Sequence, residues 1–103
     1  MKPVRLSKKA ADDLWDAVDF YEFQESGAGD LLFAMLMQEM RRLERSHGHH
    51  RIRHGFHKLT TAKFPHAIYY LEMADEIVVM AIIDERRDPE SIRKELSRRP
   101  SDP

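Results

Sequence analysis

The chain predicts an α+β fold: an N-terminal helical hairpin packed on a three- to four-stranded antiparallel sheet, with a short C-terminal helix. Three observations carry this. Apolar residues recur at helical spacing from Ala11 to Leu43, the period then changes to two, and two apolar runs later in the chain are joined by a short polar connection. With 103 residues and no cysteine, the chain suits one domain that builds its core without disulfide staples.

Val4-Arg5-Leu6 is extended in character, and Ser7 is a good helix N-cap. Ala11, Leu14, Trp15, Val18 and Tyr21 then form one helical stripe, with Asp12, Asp13, Asp16 and Asp19 on the other side, so the first helix is expected from Lys8 to Gln24. Ser26-Gly27-Ala28-Gly29-Asp30 breaks the pattern, because glycine tolerates the backbone angles that end one helix and start another. A second stripe of Leu32, Phe33, Leu36, Met37, Met40 and Leu43 sets the second helix, from Leu31 to Arg45. Its terminal arginines suit the helix dipole, and His47-Gly48-His49-His50 ends it.

Arg51 to His54 and Phe56 to Thr60 alternate apolar and polar residues about a Gly55 turn or bulge, as strands with one wet face do. His66 to Met73 and Ile77 to Asp84 are longer strands joined by Ala74-Asp75-Glu76. Their continuous apolar character makes them central, with the helices on one face. Arg86-Arg87-Asp88-Pro89 closes the last strand, and Glu90 to Leu96 is expected as the short helix, since proline favours a first turn. Residues 1–97 make the expected single domain, and residues 98–103, with two prolines, the expected flexible tail.

The net charge of −1 argues against affinity built on neutralising many phosphates. Its distribution is uneven, at −4 for residues 1–40, +6 for 41–63 and −3 for 64–103. The middle block also holds His47, His49, His50, His54 and His57, so a local basic patch is expected, stronger at low pH. The spacing of these histidines fits no familiar metal site, and the cluster reads as a solvated loop; neither metal nor cofactor is expected. Lys8, Lys9, Asp12 and Asp13 leave no apolar signal core, and Ile77 to Ile83 is too short to span a bilayer, so the expected compartment is the cytoplasm, away from membranes.

Several motifs occur in a telling order. Val-x-Leu-Ser-x-x-Ala-x-x-Asp-Leu runs from Val4 to Leu14, and an aromatic pair with Gln-Glu follows at Tyr21 to Glu25. Phe64-Pro65 leads into Ile68-Tyr69-Tyr70, then come Ile77 to Ile82 and Arg86-Arg87-Asp88-Pro89. In these features the chain resembles the RelE/ParE toxins of type II toxin–antitoxin systems, the plasmid stabilisation proteins, over nearly its whole length.

The resemblance implies two helices on a curved sheet with a groove, and a cognate antitoxin that threads a disordered segment over it. The basic block at 41–63 is then a contact for an acidic antitoxin segment. Two actions compete. RelE-like members cut messenger RNA on the ribosome, whereas ParE-like members inhibit DNA gyrase without chemistry of their own. For cleavage, the resemblance points to Arg86 and Lys58 as phosphate-stabilising cations and to His66 as a general acid or base. For target or antitoxin binding it points to Arg51, Arg53, Lys58, Arg86 and Arg87.

Three departures favour gyrase over message cleavage. Asp84-Glu85 stands where a histidine often begins the motif, and two carboxylates beside a phosphate site repel substrate. No aromatic residue follows Tyr70, and the chain is near neutral where ribosome binders are basic. The departures at Asp84 and Glu85 also admit a non-toxic family member whose activity is limited to forming the antitoxin complex and regulating its operon.

Overall fold

The computed structural model describes residues 1–100. In chain order they form β1 (Val4–Leu6), α1 (Lys8–Gln24), α2 (Ala28–Leu43), β2 (Ile52–Arg53), β3 (Phe56–Thr60), β4 (His66–Glu72), β5 (Ile77–Asp84) and α3 (Pro89–Ser97). The α+β class is as expected, but the sheet has five strands, in the order β1-β5-β4-β3-β2. The additional strand is β1, which pairs parallel to β5, with Val4 opposite Ile77 and Leu6 opposite Val79. Three residues carry too little alternation to announce a partner or a direction, so the sheet is mixed rather than wholly antiparallel.

Ser7 caps α1 as its sequence promises, its hydroxyl accepting from the Ala10 amide at 3.1 Å. The second helix begins at Ala28, three residues before the expected start, and Gly29 lies inside it. This glycine marks a close approach of the two helices, because a Cβ there would meet the Val18 carbonyl at 2.6 Å. Glu22 of α1 caps α2, accepting from the Gly27 amide at 2.9 Å and the Gly29 amide at 3.0 Å. At the other hairpin, His54 (φ 55°) and Gly55 (φ 85°) link β2 to β3 in a two-residue turn whose positive φ values match strand twist.

Helices cover both faces of the sheet, not one. Ile68, Tyr70, Ile77, Val79 and Ile82 pack against α1 and α2 through Leu14, Leu32, Leu36 and Met40. On the other side Tyr69, Val78, Met80, Ala81 and Ile83 meet Ile92 and Leu96 of α3. The i, i+4 pair on α3 is a small apolar stripe, and it explains why β4 and β5 are apolar on both faces. A bulge shifts the β4–β5 register between Tyr69 and Tyr70, so Met80 and Ala81, although adjacent, both face α3.

Trp15, read as part of the buried stripe, is 53% exposed and stacks on Phe33 with centroids 5.4 Å apart. The expected loose tail also needs correction. Arg99 is 7% exposed and docked against α1, so residues 98 and 99 belong to the folded body. Residues 101–103 lie outside the described residues.

Candidate functional site

Arg86 and Arg87 follow the end of β5, and the carboxylates there reach to both faces of the sheet. Consecutive strand residues point to opposite faces, and here Asp84 and Glu85 each capture a cation on its own side. Asp84 holds Arg86, accepting from its backbone amide at 2.9 Å, from Nε at 3.1 Å and from Nη2 at 2.7 Å. This pairing holds the Asp84 carboxyl below its ordinary range and raises Arg86. Glu85 pairs with Lys58 and accepts from the Tyr69 hydroxyl at 2.9 Å. Burial, followed by that hydrogen bond and the Glu85 charge, pushes the Tyr69 phenol well above its usual value.

Lys58 lies opposite Tyr69 in the β3–β4 register, which puts it on the α3 face. It lines a depression of about 240 Å³ with Arg53, His54, Tyr69, Glu85 and Ile92. His66 shares the parity of Ile68 and faces the helical hairpin, its ring 5.7 Å from that of Tyr21. It lines a separate cavity of about 310 Å³ with Asp13, Asp16, Phe20, Asp84 and Arg87. The sheet therefore divides the three candidates for cleavage. His66 and Arg86 both adjoin Asp84 on the hairpin side, while Lys58 is on the α3 side.

His66 is 5% exposed, and its Nδ1 is the one buried side-chain polar atom among the described residues with no hydrogen-bond partner. Burial lowers its pKa, the Asp84 charge opposes this, and the Arg86 charge adds to the lowering. Arg51, Arg53 and Arg87 are exposed, and among the described residues none has a salt bridge.

Its fold is similar to that of a solved toxin–antitoxin chain. The match is to a chain of the structure titled "Chromosomal ParDE TA system from P. aeruginosa", with a TM-score of 0.69 and 20% identity. It covers 82% of this chain and 96% of that one. No family model matches the chain. No curated protein matches it either. The ParDE likeness agrees with the resemblance read from the motifs, and it bears on the fold.

Within this ParDE-like fold, two features went unseen in the sequence. The first repairs the outer edge of β5, which β1 covers only as far as Val79. Beyond it, Arg99 donates to the Met80 carbonyl at 2.8 Å, and Asp13 accepts from the Ile82 amide at 2.9 Å. Arg99 and Asp13 are themselves joined by two 2.9 Å bonds, and Arg99 Nη2 also reaches Glu95 at 3.1 Å. Two side chains thus stand in for a missing strand.

The second feature ties down the histidine cluster, which is less solvated than expected. The buried Tyr70 hydroxyl accepts from the Gly48 amide at 2.9 Å and bonds His50 Nδ1. His57 stacks on the Tyr70 ring at 4.9 Å, and its Nδ1 bonds the His50 carbonyl at 2.8 Å. Burial first, then the neighbouring His49 and His57, lower the His50 pKa. No helix among the described residues is long and apolar enough to cross a membrane.

Proposed function

We propose that this chain is the toxin of a type II toxin–antitoxin pair, that it arrests growth by binding DNA gyrase, and that a cognate antitoxin silences it. Support for the toxin reading comes from the ordered motifs and from the fold likeness to a chain of the ParDE system. One observation carries the choice of binder over nuclease: Lys58 and His66 lie on opposite faces of the sheet, with Lys58 held by Glu85 and Arg86 by Asp84.

Phosphoryl transfer needs cations and a proton-transfer group converging on one phosphate, within hydrogen-bond reach of the reacting atoms. Here a phosphate that reaches Arg86 meets Asp84 first, and one that reaches Lys58 meets Glu85. Binding has no such demand. Arg51, Arg53 and Arg87 are exposed cations free to meet an acidic surface, and the block at 41–63 suits an acidic antitoxin segment.

The test is inducible expression with and without the adjacent reading frame, followed by purified assays. Growth arrest relieved by the neighbour, with inhibited supercoiling and accumulated cleaved DNA in a gyrase reaction, is the expected outcome. Unaffected growth would leave only the non-toxic, complex-forming reading. Site-specific message cuts in a translation extract, lost on Arg86→Ala or His66→Ala, would replace gyrase inhibition by ribosome-dependent cleavage.

A further inference from the structure

We propose that the outer face of α1 is a docking surface for an arginine- or lysine-rich segment of another protein, distinct from the basic block at 41–63 used in the toxin reading. Between Asp12 and Asp30 the chain carries seven acidic residues and no basic one. Asp12, Asp16, Asp19 and Phe23, at i, i+4, i+7 and i+11, share one side of α1, opposite the buried Ala10 and Leu14. Trp15 and Phe20 flank this row. Phe23 is 91% exposed, Phe20 54% and Trp15 53%. Single exposed apolar residues are ordinary, but three aromatic rings interleaved with carboxylates on one helix face form a patch of the kind that marks an interaction site.

The fold makes little use of this face. Asp12 has a 3.6 Å contact with the exposed Lys8, Arg87 lines a depression beside Asp12 and Asp16 without a salt bridge to either, and among the described residues Asp19 has no salt bridge. Stacking on Phe33 fixes the Trp15 ring before any partner arrives, which reduces the ordering a partner must impose. Carboxylates beside aromatic faces suit a guanidinium or ammonium group with an apolar stem, through charge-assisted hydrogen bonds and cation–π contact together.

Charge selects among possible occupants. Nucleic acid would be repelled by these carboxylates. An uncharged apolar partner would bury Asp16 and Asp19 without compensation. A second copy could offer its own basic block, but Asp30 lies in the first turn of α2 and Arg41 and Arg42 in its last. Copies joined head to tail in this way would form a ring or a filament, so self-assembly is the competing outcome that the experiment reads. The occupant that this charge and these rings suit best is a cationic segment of a different chain.

The experiment titrates the whole protein at low salt with a fluorescein-labelled synthetic peptide of alternating arginine and leucine, following peptide anisotropy and the emission of the single tryptophan, Trp15. Saturable binding with a blue shift is expected, weakened at least tenfold by Phe23→Ser and by Asp16→Asn with Asp19→Asn. A glutamate–leucine peptide is expected not to bind. The pair Asp75→Asn with Glu90→Gln removes the same charge elsewhere and is expected to leave binding unchanged. Four outcomes would overturn the proposal: no binding of the arginine–leucine peptide, equal loss in the remote pair, indifference to Phe23→Ser, or self-assembly of the protein that Phe23→Ser abolishes. All these side chains are exposed, and unchanged far-UV circular dichroism would show that the variants fold.

Discussion

Replacing Arg99 by methionine is expected to destabilise the whole domain, although the sequence places this residue in a frayed end. The Arg99 side chain is 4% exposed and the Asp13 side chain 19%, so the substitution strands a largely buried carboxylate and leaves the Met80 carbonyl without its 2.8 Å donor. Breaking a buried pair from one side costs about 3–5 kcal/mol, and the residual access of water to Asp13 reduces this to about 2–4 kcal/mol. For a domain of this size each kcal/mol is worth roughly 4–8 °C in Tm, so the expected loss is roughly 8–32 °C. Thermal unfolding by circular dichroism measures it. Truncation after Ser97 is expected to cost as much, because it removes the same guanidinium. Pairing Arg99→Met with Asp13→Asn gives a double-mutant cycle with an expected coupling above about 1.5 kcal/mol. The Ile82 amide also depends on Asp13, so the double variant does not recover wild-type stability. A loss below about 1 kcal/mol for both Arg99→Met and the truncation would refute the reasoning and return residues 98–100 to a loose tail.

Three further outcomes follow from the packing and the titrations. Gly29→Ala improves helix propensity by about 1 kcal/mol, yet it drives a methyl against the Val18 carbonyl, so a net loss of about 1–2 kcal/mol is expected in denaturant unfolding. Tyr70→Phe strands the Gly48 amide and His50 Nδ1, and about 1–3 kcal/mol is expected, with faster amide exchange in the segment from His47 to Arg51. Stability is also expected to fall with pH in two stages. His50 and His66 have folded pKa values below 6.5, so under acidification the unfolded chain takes up protons first, and stability present above 6.5 is lost below it. Asp84 and Glu95 are likewise lowered, from 3.8 and 4.5, so their contribution disappears below about those values. Thermal midpoints across pH read both stages, and a His66→Phe variant that leaves the first stage unchanged would exclude His66 from it.

The elements legible in the sequence were those whose ends carry their own chemistry. Ser7 opens α1 and the glycine-rich break follows it; Glu76 and Asp84 bound β5, and both spans match expectation. Gly29 misled because glycine signals equally a chain break and a close approach, and the second meaning depends on where Val18 lies. The position of Lys58 relative to His66 could not be read either. It depends on the β3–β4 register, which leaves no local mark. Asp13 looked like one more wet-side acid, and only the shortness of β1, which leaves the Ile82 amide open, gives it a task.

Asp84 and Glu85 entered as carboxylates that repel a phosphate, and the structure gives them a stronger part, since each occupies the cation nearest to it. Replacing both, Asp84→Asn with Glu85→Gln, changes the net charge from −1 to +1 and releases Arg86 on the hairpin side and Lys58 on the α3 side. Affinity for single-stranded RNA is expected to rise, with a salt slope steeper by about one to two phosphates. Cleavage is not expected, because the released cations remain on opposite faces of β4 and His66 adjoins only one of them. Electrophoretic mobility shifts across salt, and incubation of labelled RNA with purified ribosomes, separate the two effects. Message cuts by this variant but not by the native chain would show that charge, rather than placement across the sheet, is what withholds the chemistry.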